Sequence, residues 1–108
     1  MSRIFMDGGL IFPQGLYGVG DHESDDIVFS PNQKVPFAVN LVIDQDVILH
    51  FDVYVGGVLR TNMIEQAVLS TQSPATLQVS YVLPRWRLRI ECAAPTNLVC
   101  EVLAKKES

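Results

Sequence analysis

From Ile27 onward, apolar residues recur at every second position. Phe37, Val39, Leu41 and Ile43 alternate with Ala38, Asn40 and Val42; Leu77, Val79, Tyr81 and Leu83 alternate with Gln78, Ser80 and Val82. Trp86, Leu88, Ile90 and Cys92 alternate with Arg85, Arg87, Arg89 and Glu91. A period of two sends successive side chains to opposite faces, so each run predicts a strand with one buried face. Breaks at Pro31, Pro36, Gly56-Gly57, Pro74, Pro84 and Pro95 divide this stretch into about seven or eight short strands. Between Asn62 and Ser70, a helical turn and a further strand fit equally well. Such spacing predicts an all-β domain, a small antiparallel two-sheet sandwich or jelly roll, with a small barrel as the alternative.

Two hairpins follow from register. A three-residue loop Val55-Gly56-Gly57 pairs Val53 with Leu59 and Asp52 with Arg60. It puts Leu49, Phe51, Val53, Leu59 and Met63 on one face and His50, Asp52, Tyr54, Arg60 and Asn62 on the other. A two-residue loop would mix polar and apolar residues on both faces. The second hairpin turns near Ala94-Pro95-Thr96 and pairs Arg89 with Glu101, opposite charges across the strands.

The first 26 residues read differently, which divides the chain into an N-terminal arm, 1–26, and a sandwich body, 27–108. Five of the seven glycines lie in the arm (Gly8, Gly9, Gly15, Gly18, Gly20), and it ends in the acids Asp21, Glu23, Asp25 and Asp26. Glycine at this density weakens strand and opposes helix. Yet Ile4, Phe5, Leu10, Ile11, Phe12, Leu16 and Tyr17 are too apolar for a solvated tail. The arm is expected to be extended and to lie on a surface, either its own domain or a neighbouring subunit.

The composition is that of one globular domain: 108 residues, 48% hydrophobic, 19% charged, net charge −4. No apolar run approaches the roughly 20 residues of a membrane span, and the first residues do not read as a signal peptide, so no membrane partner and a cytoplasmic origin are expected. The acidic balance disfavours nucleic acid.

Candidate chemistry is sparse. Cys92 and Cys100 lack metal-ligand spacing to either histidine and are expected to be buried reduced thiols. Asp21 to Asp26 resembles the opening of a calcium loop but has Asp26 where the turn glycine belongs and Asn32 at the bidentate position. Asp44-Gln45-Asp46 reads as a tight turn. His50, Asp52 and Tyr54 on one strand face read as a polar network rather than a catalytic set. No nucleophile elbow, phosphate loop or dinucleotide fingerprint is present. The expectation is therefore no enzyme, no cofactor and no metal. Arg85, Arg87 and Arg89 form a ladder on one strand face, either solvated and partly neutralised by Glu91 and Glu101 or a docking stripe for an acidic protein surface.

The apolar, glycine-rich arm (Met1 to Asp26) and the short-stranded body (Ile27 to Lys105) together resemble the small β-sandwich decoration, or cement, proteins of bacteriophage capsids. That resemblance implies a structural virion protein, made in the host cytoplasm, that stabilises the outer shell, often as a trimer. Its partner would be the major capsid protein or another virion protein. The arm residues Ile4, Phe5, Leu10, Ile11, Phe12, Leu16 and Tyr17 would cross neighbours, and Arg85, Arg87 and Arg89 would meet acidic groups on the coat. The alternatives are a ligand-binding sandwich, such as a carbohydrate-binding module or part of a receptor-binding fibre, with Tyr17 and Tyr54 as its aromatic contributors, or a tail or neck subunit.

Overall fold

The computed structural model describes residues 3–6, 8–29, 37–79 and 85–104. Ten strands follow in chain order: β1 Arg3–Met6, β2 Gly8–Tyr17, β3 Gly20–Glu23, β4 Asp26–Phe29, β5 Phe37–Ile43, β6 Val47–Val55, β7 Val58–Val68, β8 Ala75–Val79, β9 Arg85–Cys92 and β10 Thr96–Ala104. A single 3-10 turn, Ser70–Gln72, is the helical structure among the described residues. The strands form two packed sheets, the expected all-β sandwich. Sheet A has the order β1-β4-β9-β6-β7, with β3 also on β9; sheet B has the order β2-β10-β5-β8. Pairing is antiparallel except between β1 and β4.

Along β5, β6 and β9 the alternation read from the sequence sorts the core correctly. Leu49, Phe51, Trp86, Leu88, Ile90 and Cys92 point inward from sheet A; Val39, Leu41, Leu98, Cys100 and Val102 meet them from sheet B, all essentially inaccessible. Trp86 stacks on Phe51 with ring centroids 5.4 Å apart. The expected Tyr81 and Leu83 lie outside the described residues.

Three expectations need correction. The chain does not divide at residue 26. Asp26 and Ile27 are consecutive residues of β4, and the preceding segment is woven into both sheets: β2 pairs with β10, while β3 and β4 lie end to end along β9. Glycines did not prevent this, because unpaired edges of β9 and β10 supply the backbone hydrogen bonds that a lone glycine-rich strand could not make.

The turn at Gly56-Gly57 is a two-residue loop. Val55 pairs with Val58, Tyr54 with Leu59 and Val53 with Arg60. Both glycines have positive φ, 63° and 79°, as the hairpin turn matched to strand twist requires. The expected mixing of faces is resolved further along, where the register shifts between Phe51 and Val53. Asn62, at φ 57°, bulges there and donates its backbone N–H to Asp52 Oδ1 at 2.8 Å. In consequence Ile64, not Met63, faces Phe51, and Met63 is exposed.

β9 and β10 do not form a hairpin. β9 belongs to sheet A and β10 to sheet B, and the turn at Pro95 carries the chain across the sandwich. The inward face read for β9 holds; the pairing does not, since inward alternation is equally satisfied by facing a strand across the core. Glu101 accepts from Asn40 instead of meeting Arg89.

Candidate interaction surfaces

The outer face of sheet A holds a dense charged network. Its basic members are the ladder on β9, and its acids come mostly from the segment read as an arm. Arg85 and Arg87 both donate to the Asp26 carboxylate. Arg87 also reaches Glu23 at 2.7 Å and the Tyr54 hydroxyl at 3.1 Å. Arg89 donates to Asp52 at 3.0 Å, to Asp21 at 2.8 Å and to the Asn62 side chain. The Arg85 guanidinium lies 3.9 Å over the Tyr54 ring. Asp26 is 1% exposed and Asp52 fully buried, unusual for carboxylates on the outer face of a sheet.

These carboxylates stay ionised. Burial alone would raise the Asp26 pKa, but hydrogen bonds and charge from Arg87 and Arg85 hold it below the usual carboxylate range. Asp52 is likewise held low, with Arg89, the Asn62 N–H and the His50 ring outweighing burial. Donating to the Asp26 carboxylate holds the Arg87 guanidinium above its ordinary value. The three arginines are therefore not a free basic stripe. The acids that neutralise them are Asp21, Glu23, Asp26 and Asp52, not Glu91 and Glu101. One signal in the sequence pointed here: Asp21 and Glu23 alternate with the same period as Arg87 and Arg89, as two paired strands require.

His50, 4% exposed, sits beside this network, its Nε2 3.0 Å from Glu91 and its Nδ1 3.8 Å from Glu65. Both thiols are buried and unpaired. Burial pushes Cys100 up to about 12, aided by Glu101, and burial also raises Cys92 despite a hydrogen bond with Thr96. Neither is positioned as a nucleophile. In the turn after β5, Asp44 accepts two hydrogen bonds from Asn97 at 2.9 Å, and Asp46 accepts the Ser70 N–H at 2.8 Å. These acids fasten loops together.

The apolar residues of the arm part company. Phe12 enters the core; Ile11 and Tyr17 pack against it, and the Tyr17 hydroxyl donates to the Pro13 carbonyl at 2.7 Å. Leu10 and Leu16 remain 56% and 68% exposed. Two register shifts against β10 cause this. In a regular strand Leu10, Phe12 and Leu16 would share a face; the shifts turn Phe12 inward and leave the two leucines outside. Ile4 and Phe5 lie in β1, and their side chains fall outside the described residues.

Leu10 and Leu16 thereby join the outer face of sheet B. Leu16 lies across from Asn97, Leu10 from Glu101, and half-exposed Val42 from Val99. A shallow hollow of about 150 Å³ opens among Gln14, Val42, Asp44, Asn97 and Val99. Side-chain hydrogen bonds, from the Thr76 hydroxyl to Asn40 at 2.8 Å and from the Asn40 amide to the Glu101 carboxylate at 3.0 Å, tie the rest of the face together. The molecule thus presents one face closed by its own ion pairs and another carrying unpartnered aliphatic side chains. No family model matches this chain, and searches of curated proteins and of solved structures return no match.

Proposed function

We propose that this chain is a non-enzymatic structural subunit that docks on a larger protein assembly through the outer face of sheet B. The setting that suits it best is the outside of a viral shell, as in capsid decoration proteins. The observation that carries this reading is the exposed aliphatic set Leu10, Leu16 and Val42 on the outer face of sheet B. Aliphatic side chains left unpartnered on one sheet face suit an association surface. The docking element is then a sheet face, not a free arm, and the Arg ladder stabilises the subunit instead of binding the coat. A sugar-binding platform has less support, because Tyr17 packs on Phe12 and His22 and Tyr54 lies beneath Arg85.

The test is density-gradient sedimentation of tagged protein from infected cells. The intact chain is expected to travel with coat-protein shells, and a Leu16→Glu/Val42→Glu variant to stay at the top while keeping its circular dichroism spectrum. Intact protein that stays at the top as a small species would overturn the proposal.

A further inference from the structure

A second opening lies where the sandwich ends, between β7 and β8. These are the last strands of their sheets, and among the described residues neither has a second neighbour. A cleft of about 420 Å³ lies between them. Its lining is informative: Ile64, Glu65 and Gln66 from one edge, Thr76, Leu77 and Gln78 from the other, with Phe51 behind. Consecutive residues of a strand point to opposite faces. When three in a row line one cleft, the strand is presenting its backbone edge. Along each such edge, N–H and C=O groups alternate between the neighbouring strand and the open side.

Protection of the sheet edges is uneven. At the opposite end of the sandwich, β1 has only four residues, and β2 carries Pro13 and two register shifts. Short length, proline and bulges are the usual guards against strand addition. From Ile64 to Val68, by contrast, β7 pairs regularly with β6, and β8 pairs regularly with β5 along its whole length. Neither stretch contains proline, and Glu65 is its one charged residue.

We infer that this cleft binds an extended segment of a partner protein, which adds as a strand between β7 and β8. Backbone groups of the two edges supply its hydrogen bonds. Half-buried Ile64 and Leu77, with Phe51 behind, call for apolar side chains at alternate positions. Gln78, on the opposite face of its strand from Leu77, suits a polar residue between them. Glu65, 55% exposed at the rim, selects lysine or arginine. Three residues on each edge span about 10 Å, the length of one short strand segment.

The probe is a blocked heptapeptide alternating valine with lysine and threonine, titrated into the isotopically labelled full chain and followed by amide chemical shifts. Shifts are expected to concentrate on residues 64–68 and 75–79. Glu65→Lys is expected to weaken binding about fivefold, as removing and reversing one exposed pair implies. The same peptide with glutamate for lysine should lose a similar factor on the unaltered protein, which keeps the test independent of any variant's folding. No shifts at millimolar peptide, shifts centred on the outer face of sheet B, or equal binding of both peptides would overturn the inference. So would concentration-dependent shifts of the same amides without peptide, which would give the cleft to a second copy of the chain.

Discussion

Asp26→Ala tests whether the N-terminal segment is part of the fold. The Asp26 carboxylate bridges Arg85 and Arg87 and also accepts from the Tyr54 hydroxyl at 3.3 Å. Its removal leaves two guanidinium groups without their shared anion. They do not suffer equally. The Arg85 side chain is 35% exposed and can turn to water, whereas that of Arg87 is 11% exposed. Breaking a buried pair by deleting one partner costs about 3–5 kcal/mol. Arg87 keeps Glu23 and Tyr54, which places the expected loss near the lower end, about 3 kcal/mol. A domain of this size has roughly 5–15 kcal/mol in total, and the melting temperature should fall by about 15 °C.

Trp86 makes the assay direct. It is the single tryptophan, fully buried and stacked on Phe51, so its fluorescence reports urea unfolding of sheet A. The Asp26→Ala/Arg87→Met double variant should recover part of the loss, because the cost lies in an uncompensated charge and not in a missing contact. A loss below about 1 kcal/mol for Asp26→Ala would mean that solvent screens the pair as on any exposed surface. The network would then not anchor β4, and the reasoning would fail.

Three further outcomes are expected. Asp26 and Asp52 titrate lower in the folded chain than the roughly 3.9 of an unfolded aspartate, so in acid the unfolded chain binds more protons. Stability should therefore be flat above about pH 5 and fall steadily below about pH 4, checked by urea midpoints across that range. A thiol reagent at mildly alkaline pH should leave the native protein unmodified and label both cysteines in denaturant, since burial raises both pKa values. Deleting residues 1–20 should abolish cooperative unfolding, read by circular dichroism, because it strips β2 from β10 and leaves that edge of the core open. A truncated chain that melts cooperatively would restore the arm as a separate element.

Side-chain alternation made the strands and their inward faces legible. Trp86, Leu88, Ile90 and Cys92 had to share a face whatever their neighbours were. Alternation carries no information on which strand lies beside which, and so β9 and β10 were read as a hairpin although they face each other across the core. Bulges defeat it for another reason. The extra residues around Asn62, and opposite β10 in β2, change the phase without changing residue type. Met63 was therefore read as inward, and the contrast between Phe12 and Leu16 was invisible. The charged network was half legible. The ladder was plain, but its partners lie more than fifty residues away in sequence at Asp21, Glu23 and Asp26. Low glycine propensity argued against any strand there, and pairing with β9 overrode it.

That override narrows how the molecule can associate. An arm free to exchange between subunits must detach at little cost, yet β2 lies in one sheet and β3 and β4 in the other, joined through the bend at Gly18 and Val19. Detaching it would separate Phe12 from the core and Asp26 from both its arginines at once. Association must instead use surfaces that are already formed. The outer face of sheet A offers few unsatisfied charges, since its arginines are held by acids of the same chain. Two such surfaces among the described residues are the aliphatic outer face of sheet B and the edges of β7 and β8, and they differ in kind. A sheet face is recognised by its side chains and suits a rigid partner surface. An open edge is recognised by its backbone and suits an extended segment. Blocking one therefore need not block the other, because side chains carry the first contact and backbone groups the second.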